Sequence, residues 1–298
     1  MTVRIGINPI TWSNDDLPEL GGDTPLETCL AETKQAGYAG TEMGGKFPKT
    51  ADALKPILDR HGLAFISGWY SARLLERDAE AEIAAIEGHL TLMAAMGCKV
   101  MVFAEGVDAS AGDRNRPASE HRLIADAEWP VYAERIQTVA RHMKSRGVTL
   151  AFHHHMSTAI QTGPEIDRLM ALTGPEVGLL LDTGHATYAG CDPLDLATRH
   201  AARIVHVHCK DVRKPRLDAA LKAGMSFLDS VLDGVFTVPS DGAVDFPPVL
   251  RRLKANGYEG WLVVEAEQDP AKAHPLTYAK MGFDNLSRMA REAGFATA

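Results

Sequence analysis

Eight short apolar runs, each followed by a stretch of helical character, punctuate this chain from end to end. The runs fall at residues 3–8, 40–43, 63–69, 99–103, 148–152, 179–181, 204–209 and 261–266. They are short and are bounded by turn residues, so they read as strands. Regular strand–helix alternation argues for a parallel sheet covered by helices. Eight such units in 298 residues predict a closed (β/α)8 TIM barrel, a single domain over residues 1–298. Helices are expected at 24–35 with Thr24 as N-cap, at 51–60, 78–96 and 275–292, and from Phe246 to a stop at Gly257. A long one is expected at 120–145, interrupted at Trp129-Pro130, with others opening at Pro164 and Pro193. The segment 211–245 is expected to hold one helix and the loop 237–242, and to act as a lid.

The chain carries a net charge of -8, and its basic residues are scattered apart from the short 210–214 patch. That argues against a nucleic-acid or anionic-membrane partner. No apolar run is long enough to span a bilayer, and the first strand begins at Val3, so neither a leader nor an anchor is expected. Cys29, Cys98, Cys191 and Cys209 lie far apart without a Cys-x-x-Cys pair, which predicts reduced thiols and a cytoplasmic protein. No Gly-x-Gly-x-x-Gly follows the first strand, and there is no phosphate-binding loop of the Walker type.

Chemistry in parallel barrels sits at the carboxyl ends of the strands. Those ends carry Glu42, the run His153-His154-His155, Asp182 with His185 one turn on, His206-Val207-His208-Cys209-Lys210-Asp211, and Glu265-Ala266-Glu267. Alternate strand residues share a face, so His206 pairs with His208 and Glu265 with Glu267. Charged or imidazole groups on an inward face need partners or a metal. Carboxylates and imidazoles from several strands form the mixed oxygen and nitrogen donor set of a divalent cation. Each member also has a plainer account. Asp182 caps the next helix, His206 is a satisfied core histidine, Glu42 is a loop carboxylate, Glu267 lies in solvent, and the triple histidine is a hydrated strand end. Their joint occurrence at four successive strands favours a site.

Asp182-Thr183-Gly184-His185, His206 to Asp211 and Glu265 resemble the xylose isomerase-like barrels, a group of sugar isomerases, epimerases and dehydratases. Gly6 to Trp12, Gly40 to Pro48, Phe152 to Met156, Asp182 to Ala186 and Glu265 to Pro270 resemble, more closely and over nearly the whole chain, the myo-inosose-2 dehydratases of inositol degradation. This resemblance implies a hydro-lyase that removes water from 2-keto-myo-inositol (scyllo-inosose) to give a trihydroxycyclohexane-1,2-dione. It implies a divalent metal, Mn or Co, on Asp182, His208 and Glu265, polarising the ketone. His153 is open between metal ligand and acid/base. His153, His155, Glu267 and Lys210 are the candidate catalytic groups. Glu42, Lys46, His185, His206 and Asp211 are the candidate substrate contacts, with His185 alternatively ligating or orienting Asp182. The chain departs from the wider group in carrying His153 where a glutamate is usual. It also carries Ser240 where Pro-Gly-Asp-Gly is expected around 239–242.

The alternative on the same scaffold is a sugar or keto-sugar isomerase or epimerase using the same metal. A metal-dependent nuclease on damaged DNA is disfavoured by the acidic charge, and a non-catalytic sugar-binding protein by so many ionisable strand ends. A small polyol ketone is the expected partner, with no nucleic acid and no membrane, and with a homo-oligomer left open.

Overall fold

A computed structural model describes residues 1–297. The strands are β1 (Thr2–Ile7), β2 (Gly40–Thr41), β3 (Ala64–Phe65), β4 (Trp69–Ala72), β5 (Val100–Glu105), β6 (Thr149–His153), β7 (Val177–Asp182), β8 (Ile204–Cys209), β9 (Asp211–Val212), β10 (Phe236–Thr237), β11 (Gly260–Val264) and β12 (Ala296–Thr297). The helices are α1 (Leu26–Gln35), α2 (Ala51–His61), α3 (Ala79–Ala95), α4 (Trp129–Ser145), α5 (Gly163–Leu172), α6 (Thr183–Tyr188), α7 (Pro193–Arg199), α8 (Lys214–Ala223), α9 (Phe227–Asp233), α10 (Phe246–Ala255) and α11 (Pro275–Glu292).

The parallel sheet runs in the order β3-β2-β1-β11-β8-β7-β6-β5-β4, with β12 beside β1. Its two ends, β3 and β4, are halves of one bent segment, so the sheet curls into a barrel of eight staves. Ser67 at the bend joins both sides. Its carbonyl accepts the Met43 N–H at 2.9 Å, and its hydroxyl accepts the Val102 N–H at 3.1 Å.

Strand alternation divides the buried residues in two. Val3, Ile5, Ile7, Leu179, Leu181, Leu262 and Val264 point outward into the main core beneath the helices. Val100, Val102, Ala151 and Leu180 form a separate cluster inside the barrel. The floor is filled by Trp261, and a Cβ on Gly40 would stand 2.8 Å from its ring. Gly6 and Gly40 are thus the small residues that make room for a large one. Helices pack by amphipathic faces, as in α10, where Phe246, Val249, Leu250 and Leu253 are buried.

The structure corrects several element bounds. Residues 120–128 are not helical, and α4 begins at Trp129-Pro130, with proline in the first turn where it lacks only a spare donor. The strand expected at 63–69 is interrupted because Ile66 to Gly68 make the bend. Pro25, not Thr24, stands at the N-cap of α1. The segment 211–245 holds two helices, α8 and α9, and an antiparallel ribbon of β9 and β10.

Candidate active site

Counting by twos from the barrel interior carries each strand to its mouth. Ala151 leads to His153 on β6, Leu180 to Asp182 on β7, His206 to His208 on β8, and Val263 to Glu265 and Glu267 beyond β11. Asp182 and His208 are register partners on neighbouring strands, and His208 is also opposite Val263. Four residues from four adjacent staves therefore converge.

His153, Asp182, His208 and Glu265 each offer a donor atom, and the four atoms lie within 4.8 Å of one another. Asp182 Oδ2 is 3.6 Å from His153 Nε2 and 3.6 Å from His208 Nδ1. His208 Nδ1 touches Glu265 Oε2. All four atoms are buried and none has a hydrogen-bond partner beyond the cluster itself. An orphaned buried polar atom costs about 1–3 kcal/mol, so four facing one another is a poor arrangement for a structure without a cation. Two nitrogens and two oxygens fit a divalent ion.

The second heteroatom of each candidate ligand is tied to the protein. His153 Nδ1 is 3.0 Å from the His154 carbonyl, which fixes its proton there and turns the Nε2 lone pair inward. Asp182 Oδ1 accepts the His185 N–H at 2.7 Å, capping α6 and leaving Oδ2 free. His208 Nε2 donates to Glu42, 3.1 Å from Oε2. Glu265 Oε1 accepts from Lys210 Nζ at 2.9 Å. Asp182 is thus both the helix cap of the plain account and a candidate ligand.

Two other groups have ligand spacing but different fillings. In the first, Glu42 already accepts from both histidines, with His206 Nε2 2.8 Å and His208 Nε2 3.2 Å from Oε1, and Asn8 Nδ2 donates to Oε2 at 2.9 Å. In the group of His155, His185 and Glu267, a cation is present as Lys210. Its Nζ is 2.9 Å from His185 Nε2 and 2.7 Å from Glu267 Oε2.

Burial opposes charge throughout, and the partners decide the outcome. Burial would raise Glu42, but His208 and His206 pull it below the usual carboxylate range. Glu265 is brought down to about 2, because His208 and Lys210 outweigh burial. Glu267 is pushed up to about 7 by burial, with Lys210 opposing and Glu265 adding to the rise. His155 is pushed down to about 3 by burial, His153 and Lys210. Lys210, fully buried, is nevertheless held above its ordinary value by Glu265, Glu267 and Asp182.

The remaining expected substrate contacts are engaged with the protein itself. Lys46 is outside the cavity, its ammonium donating to the carbonyls of Gly21 at 2.9 Å and Thr24 at 2.5 Å. Asp211 accepts backbone N–H groups of Val212, Ser240, Gly242 and Val244, so its carboxylate ties the 237–244 loop instead of meeting a substrate. His206 is a satisfied core histidine beneath His208, and Glu42 orients both. His185 orients Asp182 through its backbone N–H, while its ring serves Lys210. His154 points away from the mouth and accepts the Asp182 N–H at 3.3 Å.

A cavity of about 330 Å³ opens above these residues, bordered by Glu42, His155, His208, Glu265 and Glu267. None of the residues bordering it comes from 211–245, so that segment backs His155 and His185 from behind instead of acting as the expected lid. Phe227 lies 5.0 Å from the His155 ring, and Phe236 lies 5.6 Å from His185. The loop after β5 meets that segment through Arg114 and Asp229, 2.5 Å apart. Asn8 and Trp69, which border the cavity, and Phe227 and Phe236, which pack behind its histidines, are residues that the sequence reading does not single out. Asn8 had a signal, being the last residue of the first strand before Pro9, whereas the aromatic residues look like core.

A family model described as xylose isomerase-like TIM barrel matches residues 30–289. The chain is 56% identical over 295 residues to the rhizopine catabolism protein MocC of Rhizobium meliloti, covering 99% of this chain and 91% of that protein. It is 43% identical over 281 residues to the inosose dehydratase of Lacticaseibacillus casei, covering 94% of each. Among solved structures, the IOLI protein with a bound zinc atom superposes with a TM-score of 0.68 at 16% identity, over 98% of this chain and 99% of that one.

Proposed function

The chain belongs to the xylose isomerase-like TIM barrel family, in the company of the inosose dehydratases, and from that premise we propose that it removes water from 2-keto-myo-inositol with a bound divalent metal. It is a carbon–oxygen hydro-lyase of inositol catabolism. The product is a trihydroxycyclohexane-1,2-dione. The observation that carries the metal is the set of four unpartnered donor atoms on His153, Asp182, His208 and Glu265. Mn or Co is the expected ion, in keeping with equal numbers of nitrogen and oxygen donors. When bound, it supplies Lewis-acid polarisation of a ketone oxygen.

The protein's own residues have the remaining work. Lys210 engages Glu267 Oε2, which leaves Oε1 for the cavity. A carboxyl pushed up to about 7 is suited to moving protons near neutrality. In our reading Glu267 takes the proton from the carbon beside the ketone and delivers it to the departing β-hydroxyl, so that neutral water leaves. His155 Nδ1 is engaged with the Met156 carbonyl at 2.7 Å, so Nε2 is available to hold a substrate hydroxyl. Phe227 and Phe236 exclude water behind it. A cytoplasmic location belongs to the same reading and is consistent with four free thiols. No helix among the described residues is long and apolar enough to cross a membrane.

The test is an assay of chelator-stripped protein on 2-keto-myo-inositol, with and without Mn²⁺, Co²⁺ or Zn²⁺, reading product mass. Loss of one water only with metal is expected. An unchanged mass with an altered sugar would replace this reading by the isomerase one. Because the rhizopine catabolism protein is the more similar relative of the two described, ketones from rhizopine breakdown belong in the same assay.

A further inference from the structure

Trp69 is out of keeping with the other tryptophans. Trp12 and Trp129 are 1% and 2% exposed and Trp261 is half-buried in the floor, whereas Trp69 is 42% exposed and lines the cavity. It is also fixed in place. Its indole N–H donates to Ser71 Oγ at 2.7 Å, and its ring meets His153 and His155 in edge contacts, with centroids 5.3 and 5.5 Å away. A large aromatic surface held open by these contacts, on a cavity that also presents the carboxylates of Glu42, Glu265 and Glu267, is a ready seat for a ligand with an apolar face.

We propose that the indole of Trp69 is the platform on which the substrate ring lies, and that it selects cyclic over open-chain polyols. This rests on the polyol-ketone reading of the site. A six-membered polyol ring exposes its carbon-bound hydrogens across its faces and its hydroxyls around the rim. Stacked on Trp69, such a ring turns hydroxyls toward Glu42, Glu265 and Glu267. An open-chain polyol has no flat apolar face to offer and must be ordered before it stacks. Trp69 is then a binding residue, and its contribution appears in KM more than in the chemical step.

The experiment has two arms on metal-loaded protein. In the first, tryptophan emission is followed while myo-inositol or the open-chain polyol glucitol is added. Myo-inositol needs no chemistry, so this arm is independent of the proposed reaction. An emission change is expected with myo-inositol, weaker or absent with glucitol, and lost in Trp69→Phe. In the second, Trp69→Ala is expected to raise KM for 2-keto-myo-inositol about tenfold, the scale of one aromatic contact. Its kcat is expected to stay within about threefold, with metal content unchanged. No emission change with myo-inositol, an equal change in Trp69→Phe, or a KM within about twofold of wild type would each overturn the platform. If Trp69→Ala does not fold, the emission arm decides. If wild-type protein leaves 2-keto-myo-inositol untouched, the proposed reaction fails while the emission arm still judges Trp69.

Discussion

His208 Nε2 lies between the two oxygens of Glu42, 3.2 Å from Oε1 and 3.1 Å from Oε2, so its other ring nitrogen faces Asp182 and Glu265. A carboxylate behind a ligating imidazole fixes its tautomer and raises its basicity. Glu42→Gln is therefore expected to weaken metal affinity about 10–100-fold, with activity partly restored by excess metal. Metal titration followed by activity checks this, and an unchanged affinity would remove Glu42 from that role.

Asp182→Ala takes away both a donor atom and the cap of α6. Stoichiometric metal and turnover should be lost together, with loss of the cap costing about 1 kcal/mol of stability. Retained metal in that variant would exclude Asp182 as a ligand. His153→Gln should lose turnover far more than fold. Activity within about threefold of wild type would show that His153 is neither ligand nor acid/base.

Gly184 leaves room for Lys210. A Cβ there would stand 2.4 Å from Lys210 Cγ and 2.7 Å from Cδ. Gly184→Ala should displace the ammonium from Glu265 and Glu267 and lower kcat at least about tenfold, at about 1–3 kcal/mol of overpacking. Steady-state kinetics beside a denaturant melt separates the two effects, and wild-type kcat would show that Lys210 can be moved without consequence.

Glu105, at the end of β5 and on the edge of the same cavity, gives a pH signature of its own outside the donor cluster. Burial pushes its carboxyl up to about 7, against the Val107 and Leu74 N–H groups that favour its charge. The folded chain therefore holds this proton more tightly than the unfolded chain. That contribution is present below the unfolded value of about 4.3 and is lost as pH rises to about 7. Relative to wild type, Glu105→Gln should gain stability progressively between those limits and level off above. Urea melts at intervals from pH 5 to 8 measure the difference, and a flat one would contradict the shift.

Ser240 occupies a left-handed conformation, with φ at 70°. Its N–H donates to Asp211 Oδ2 at 2.9 Å, which holds the backbone there. A side chain in that region costs about 1–2 kcal/mol, partly offset by the freedom glycine adds to the unfolded chain. Ser240→Gly should stabilise the protein by about 0.5–1 kcal/mol. A lower denaturation midpoint would mean that the serine hydroxyl contributes more than the strain removes.

Periodicity alone places β8 at Ile204–Cys209 and α11 at Pro275–Glu292, the bounds the structure has. Alternation likewise puts His206 with His208 and Glu265 with Glu267. Barrel closure was legible from the eight strand–helix units, but the contact that makes it was not, because Ser67 bonds to two strands distant in sequence. Nor could strand-end position separate Asp182 from Asp211. Both are buried acids after strands, but one has an oxygen without a partner while the other is surrounded by backbone N–H groups. That difference is made by where the 237–244 loop returns, which no local pattern encodes. Trp69 stayed hidden for the opposite reason: an aromatic residue in a strand reads as core until its exposure is seen.

Lys210 bears on the order of events in the life of the protein. Its ammonium stands 2.9 Å from Glu265, 2.7 Å from Glu267 and 3.9 Å from Asp182, a permanent counter-charge supplied by the chain itself. Carboxylates that would otherwise repel one another during assembly already have a cation among them. Maturation can therefore run in two separate stages, with the barrel completed first and the ion admitted last. On the metal reading, a newly made chain in a metal-poor cell would complete its barrel around that internal cation, and the ion admitted later would relieve the four remaining orphan donors, adding stability as well as activity.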